Sequence, residues 1–253
     1  MRIAGLSARP PQARDVAEAL TGATGLLGQR PAITEVGAWG RREQGFVSLA
    51  GWVAKGANLL TVELDIGAGD RVAVGGPFGW PLAAVTLAAW WVGATVVPVA
   101  AATGARLQVI HTACVPLEHS GEVLWFGDAI DGTGDPTLVH GEQWTDAVTP
   151  HADRPPRAAH DGDLVAFVDL AGQESTQRML LDPLNDDPGG VLGVWRDDVA
   201  DGLALAEAAR LLTAVALRPL VTGAATVLLT KGDPQADAHA AAERVVRWST
   251  EGR

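Results

Sequence analysis

The chain has 253 residues, of which 47% are hydrophobic and 19% charged, with a formal net charge of -11. That length and apolar content suffice for a sizeable core, in one large α/β domain or two small ones, and exclude an intrinsically disordered chain. The acidic balance disfavours phosphate backbones and anionic lipid surfaces, so neither nucleic acid nor membrane is an expected partner, and the lone Cys114 suits a reducing, cytoplasmic compartment.

The opening MRIAGLSARPPQARD lacks the apolar stretch of a secretory signal. Residues 14–20 (RDVAEAL) place charged and apolar side chains at helical spacing. Residues 21–28 (TGATGLLG) then space Gly22, Gly25 and Gly28 as in the GxxGxxG form of a dinucleotide phosphate loop. Such a loop needs a buried strand before it and a helix after it. Here an amphipathic helix precedes it and Pro31 closely follows it, so the stretch reads as a glycine-rich linker leaving a helix, with no dinucleotide bound.

A hairpin is expected next, from AITEV (32–36) and GFVSL (45–49), with Ser48 capping a helix that carries Leu49, Trp52, Val53, Leu59 and Leu60. The strand RVAV follows a glycine turn. From Val72 to Ala105 no Asp, Glu, Lys or Arg occurs, a run long enough to cross a bilayer. Pro77, Pro81 and Pro98 divide it, however, into a buried helix (PLAAVTLAAWWVGA) and a buried strand (TVVPV). LQVIHT, EVLWFG and DLVAFVD read as three further strands. A helix is expected from Asp201 or Gly202 to Leu217, then the strand TVLLTK and a closing helix DAHAAAERVVRWS. The section from Asp131 to Asp163, rich in Gly, Pro, Asp and His, is the loosest. The alternation predicts an α/β fold in which RVAV, TVVPV, LQVIH, VLWF and LVAFV share one largely parallel sheet flanked by helices.

Five segments carry a family resemblance. They are RPAIT (30–34), LAGWVAKGANLL (49–60), GAGDRVA (67–73), LAAWWVGATVVPV (87–99) and RPLVTGAATVLL (218–229). The first four, in order over about seventy residues, resemble the N-terminal part of the adenylate-forming superfamily of acyl-CoA synthetases, luciferases and peptide-synthetase adenylation domains. The resemblance implies one truncated AMP-binding-enzyme-like domain across residues 1–253. It also implies a phosphate loop after DLVAFV, where family members carry a sequence like YTSGTTGxPKG.

The residues standing there are Asp169 to Gln177, DLAGQESTQ. Gly172, Ser175 and Thr176 are the remnant cofactor-binding positions. No lysine remains, and Asp169 and Glu174 place negative charge where a triphosphate would lie. No motif like the family's adenine-side YGxTE is present, and the chain stops short of the family's later catalytic parts. The resulting expectation is a non-catalytic relative acting as a binding or scaffold protein, for an unknown protein partner or for itself. No catalytic residue is assigned, and ATP, AMP or CoA is not expected as a cofactor. The alternative is an acyl, nucleotide or CoA ligand binder, or a synthetase-type enzyme with a divergent site.

Other candidates read as structure. His151, Asp153, His160, Asp161 and Asp163 have metal-ligand chemistry but no repeated ligand spacing, and Pro155 and Pro156 mark an exposed connection, so no metal is expected. DGTGD (131–135) lacks the acidic twelfth position of a calcium loop and reads as a turn. His111 and Cys114 read as a histidine beside an inert buried thiol. Trp39, Trp90, Trp91, Trp125, Trp144, Trp195 and Trp248 read as core or as a partner surface.

Overall fold

The structure, a computed structural model, describes residues 9–37, 40–112, 114, 121–129, 131–134, 141–195, 210–230 and 232–248. Helix α1 (Val16–Leu27) starts at Asp15, whose Oδ1 accepts the Glu18 amide at 2.8 Å. It buries Val16, Ala19, Leu20, Ala23 and Leu27 along one face. TGATGLLG is therefore not a linker. Its first seven residues are the second half of α1, and Gly28 ends the helix at φ 57°. Burial of Ala23 and Leu27 outweighs the roughly 0.5–1 kcal/mol that each interior glycine costs a helix relative to alanine.

The expected hairpin forms, but with a different second strand. β1 (Pro31–Gly37) pairs antiparallel with β2 (Gly40–Gly45), the charged run GRREQG. GFVSL instead opens α2 (Phe46–Asn58), because Phe46, Leu49 and Val53 recur at helical spacing and are fully buried. Gly45 takes the N-cap position, and Ser48 donates from Oγ to Gln44 Oε1 at 2.5 Å rather than capping. A π-turn over Leu59–Glu63 continues the helix.

β3 (Arg71–Gly75), α3 (Trp80–Trp91), β4 (Thr95–Pro98), β5 (Leu107–His111), β6 (Glu122–Phe126), β7 (Glu142–Gln143) and α4 (Trp144–Val148) follow. After them come β8 (Val165–Val168), β9 (Glu174–Thr176), α5 (Gln177–Asn185) and β10 (Leu192–Trp195). The start of the helix expected at Asp201 lies outside the described residues. From Arg210 the chain is helical and passes through a π-turn (Thr213–Leu217) into α6 (Arg218–Thr222). β11 (Thr226–Leu229), α7 (Ala236–Ala242) and β12 (Arg247–Trp248) complete it. The closing helix is shorter than expected because Arg244 adopts φ 58°, after which Arg247 and Trp248 pair with β10.

Two sheets result. One has the order β7-β6-β5-β3-β4-β8-β9 and holds all five strands expected to share a sheet, every pair parallel except β8–β9. The other has the order β12-β10-β11-β1-β2 and is parallel except for β1–β2. The main apolar cluster contains Ile33, Val194 and Leu228 from the smaller sheet, and Val72, Val96 and Val109 from the larger. Buried residues of α1, α2 and α3 belong to the same cluster, so these helices share one core with both sheets.

Every residue of α3 is buried, which explains the uncharged run. Two of its three tryptophans satisfy their indole N–H groups on backbone carbonyls, Trp90 on Ala166 at 2.6 Å and Trp91 on Pro156 at 3.0 Å, while the buried Trp80 indole has no acceptor among the described residues. Among the described residues no helix is long and apolar enough to cross a membrane.

Candidate functional site

Gly172, Ser175 and Thr176, the positions expected to be a phosphate-loop remnant, lie on the β8–β9 hairpin. Val168 pairs with Glu174 and Phe167 with Ser175. Asp169 closes the turn, its amide donating to Gln173 O at 3.0 Å and its Oδ1 accepting the Gln173 amide at 2.8 Å. Gly172 reaches φ 77° at the exposed tip, and its amide donates to Asp169 O at 3.0 Å. Thr176 caps α5, its hydroxyl accepting the Met179 amide at 3.3 Å. Gln177 is buried and anchors the hairpin: its Oε1 accepts the Val16 amide and its Nε2 donates to Trp90 O, each at 2.9 Å.

Gly172, Ser175 and Thr176 thus lie on one hairpin, but Gly172 stands at its tip and Thr176 at its foot. The turn has the amides of Asp169, Gly172 and Gln173 already engaged.

A buried strand, a glycine-rich turn and a helix do occur together elsewhere, at β3, Gly75 to Gly79, and α3. Gly76 has φ 132°, and a Cβ there would lie 2.4 Å from His111 Cβ. A helix start of this kind attracts an anion. Here the anion is a side chain of the protein. Glu35 Oε1 accepts the Trp80 amide at 2.6 Å. Its Oε2 accepts from Arg42 Nε at 2.7 Å and also from Arg42 Nη2. The β1–β2 register sets Glu35 opposite Arg42, and both are buried. Arg42 Nη1 donates to the carbonyls of Asp128, at 3.0 Å, and Ala129. One buried ion pair therefore joins the smaller sheet to α3 and to the loop after β6.

Three cavities lie elsewhere among the described residues. Between α1 and α2 lies a cleft of about 760 Å³ lined by Leu20, Thr24, Gly25, Gly51, Trp52 and Trp91 among others. Lys55, also in its lining, pairs with Asp153 at 3.0 Å. A polar cavity of about 440 Å³ holds Asp15 and His160, with Nδ1 of the histidine 3.3 Å from Asp15 Oδ2. A third, of about 370 Å³, lies against α5 and β12 and includes Arg218 and Arg247. None of these is lined by Gly172, Ser175 or Thr176.

The remaining candidates are dispersed. Among the described residues no group of three or more His, Cys, Asp or Glu is placed to hold a metal. His151 lies 3.2 Å from Glu63, and Asp163 pairs with Arg178 at 3.0 Å. Asp131 closes a turn on Thr133, and these hydrogen bonds hold its carboxyl below the ordinary range; Asp135 lies outside the described residues. Cys114 is half-buried, and its amide donates to His111 O at 2.8 Å. Trp90, Trp125 and Trp144 are buried core, Trp195 and Trp248 stack 4.6 Å apart, and Trp39 lies outside the described residues.

No family model matches the chain. A curated Mycobacterium tuberculosis protein described as a "TIGR03089 family protein" is 35% identical over 127 residues, covering 45% of this chain and 50% of that protein. A Brucella canis acyl-CoA synthetase superposes with a TM-score of 0.68 at 20% identity, over 92% of this chain and 46% of that one. The N-terminal domain of FACL13 from M. tuberculosis gives 0.68 at 14% identity, over 92% of this chain and 62% of that one.

The class is therefore one of fold: the chain has the α/β architecture of the N-terminal part of the adenylate-forming enzymes. It spans about half the length of the acyl-CoA synthetase it superposes on, and its curated match reaches half of that relative.

Proposed function

We propose that the chain is a non-catalytic binding protein built on the adenylate-forming fold. The β8–β9 turn carries this reading. Its amides at Asp169, Gly172 and Gln173 are spent on one another, and Thr176 is spent on a helix cap. A triphosphate placed there would meet Asp169 and Glu174 in place of a lysine, with few free donors to stabilise its charge. Such a protein keeps the fold's core and uses its surface for a protein partner or a second copy of itself.

The test is ATP–pyrophosphate exchange with purified protein, Mg²⁺-ATP and a panel of fatty, aryl and amino acids. Background exchange is expected. Exchange that falls when Ser175 and Thr176 are both replaced by alanine would overturn the proposal.

One observation favours a second reading, that of an acyl or nucleotide ligand binder. The α1–α2 cleft is lined mainly by apolar side chains and falls within the roughly 300–1,000 Å³ typical of ligand pockets. A thermal-shift screen with ATP, AMP, CoA and acyl-CoA separates the two readings, since a bound ligand raises the melting temperature in proportion to RT ln(1 + [L]/Kd).

A further inference from the structure

The 370 Å³ cavity is built from residues far apart in sequence. α5 supplies Met179, Leu180 and Leu184, and the two ends of the C-terminal region supply Arg218, Arg247 and Trp248. Arg218 is buried, its side chain 3% exposed, and Arg247 is 39% exposed. Both guanidiniums depend on one carboxylate. Asp187 Oδ2 accepts Arg218 Nε at 3.1 Å, and Oδ1 accepts Arg247 Nη2 at 2.5 Å and the Gly189 amide at 2.7 Å. Arg218 Nη2 also reaches Gly190 O at 2.8 Å, and Arg247 Nη2 reaches Gly189 O at 3.0 Å.

Those contacts leave donors over. Arg218 Nη1 and Arg247 Nε are buried and have no acceptor among the described residues. A guanidinium carries five N–H groups, and a buried donor left unmade is costly. The charge of this pair is uncompensated as well, since Arg218 and Arg247 share one carboxylate; Arg210, which also lines the cavity, has an interaction of its own. Burial pushes the Arg218 guanidinium down from its ordinary value, a shift that the Asp187 contact only partly opposes and that Arg247 reinforces. Around this excess of positive charge the walls are apolar, with Leu180, Leu184, Leu192 and Trp248.

We propose that this cavity binds a small organic monoanion, its oxyanion paired with Arg218 and Arg247 and its apolar body against Leu184, Leu192 and Trp248. One negative charge balances the Arg218–Arg247 pair, which has one carboxylate between two cations, and bidentate oxyanions suit a guanidinium fork. The volume, at the lower end of the pocket range, fits a body of a few carbons. The site is separate from the β8–β9 turn, so it stands whether or not the chain forms acyl-adenylates.

The experiment is calorimetric titration of the full chain with hexanoate, hexanol and inorganic phosphate, repeated on Arg247→Gln, whose partly exposed position favours folding. Hexanoate binding that weakens at least about tenfold in that variant is expected, since a charge-assisted contact is lost. Location is read at Met179, which lines the cavity, is 58% exposed, and is one of only two methionines in the chain. Bound hexanoate should slow its peroxide oxidation, followed by peptide mass spectrometry. Failure of hexanoate to bind, equal affinity in Arg247→Gln, hexanol binding as well as hexanoate, phosphate binding more tightly, or unprotected Met179 would each overturn the proposal.

Discussion

Arg42 and Arg218 are both buried guanidiniums, but their surroundings solve the same electrostatic problem to different degrees. Arg42 has a carboxylate facing it across the β1–β2 hairpin, and its other arm reaches the carbonyls of Asp128 and Ala129. Arg218 has half of Asp187, shared with Arg247, and an Nη1 without an acceptor among the described residues. A buried ion is tolerated when partners and hydrogen bonds replace its water. The first arginine is a closed structural joint. The second is a joint with capacity left over, and that remainder is what marks a binding site.

The difference is sharpest in what each site loses when its carboxylate is neutralised. Glu35→Gln should cost about 3–5 kcal/mol in urea unfolding, because it strands Arg42 in the interior and removes the anion from the start of α3. Gly76→Ala tests the turn that leads into the same joint. With φ at 132° and His111 Cβ 2.4 Å from the new methyl, a loss of about 2–3 kcal/mol is expected by the same measurement.

Asp187→Asn should cost less, about 1–3 kcal/mol, because Arg247 keeps access to water. A penalty equal to that of Glu35→Gln would break the contrast. The acid limb offers a second measure. Burial pushes the Asp187 carboxyl up, but hydrogen bonds from Arg218, the Gly189 amide and Arg247 outweigh it and hold the group below the ordinary carboxylate range. Its contribution is therefore complete above that range and is lost as pH falls through the lowered folded value. The intact chain should lose this increment on acidification, and Asp187→Asn should lack that part of the decline.

Gly25→Ala supplies a baseline at a position that touches neither arginine. Nothing lies within 4 Å of the added methyl on α1, so a gain of about 0.5–1 kcal/mol is expected from thermal unfolding.

The contrast also explains what could be read in advance. RVAV, TVVPV, LQVIH, VLWF and LVAFV were legible because strands covered on both faces are continuous apolar runs. GRREQG was not, since an edge strand needs little apolar character and Arg42 is buried only because Glu35 stands opposite. The glycines of TGATGLLG advertised a turn, while helix α1 was secured by tertiary contacts of Ala23 and Leu27 that no local pattern displays. β12 has only two residues, and β10 reads LGVW, a four-residue run broken by Gly193. The strand before Gly172, Ser175 and Thr176 was legible as DLVAFV, while β9, with three residues, gave no signal of the hairpin that carries them. The arginine cavity was invisible, because Asp187, Arg218 and Arg247 meet only after β10, α6 and β12 have assembled.

The parallel pairing of β1 with β11 sets an order of events. Ile33 and Val36 find their partners at Thr226 and Leu229, near the other end of the sequence. Every strand of the larger sheet lies between them in the chain. During synthesis the larger sheet can therefore close while β1 and β2 wait as an isolated hairpin, a unit only marginally stable by itself. Loop closure over so long a stretch makes the smaller sheet the slow step. Pulsed hydrogen exchange during refolding should protect the amides of β3 and β5 before those of β1 and β11.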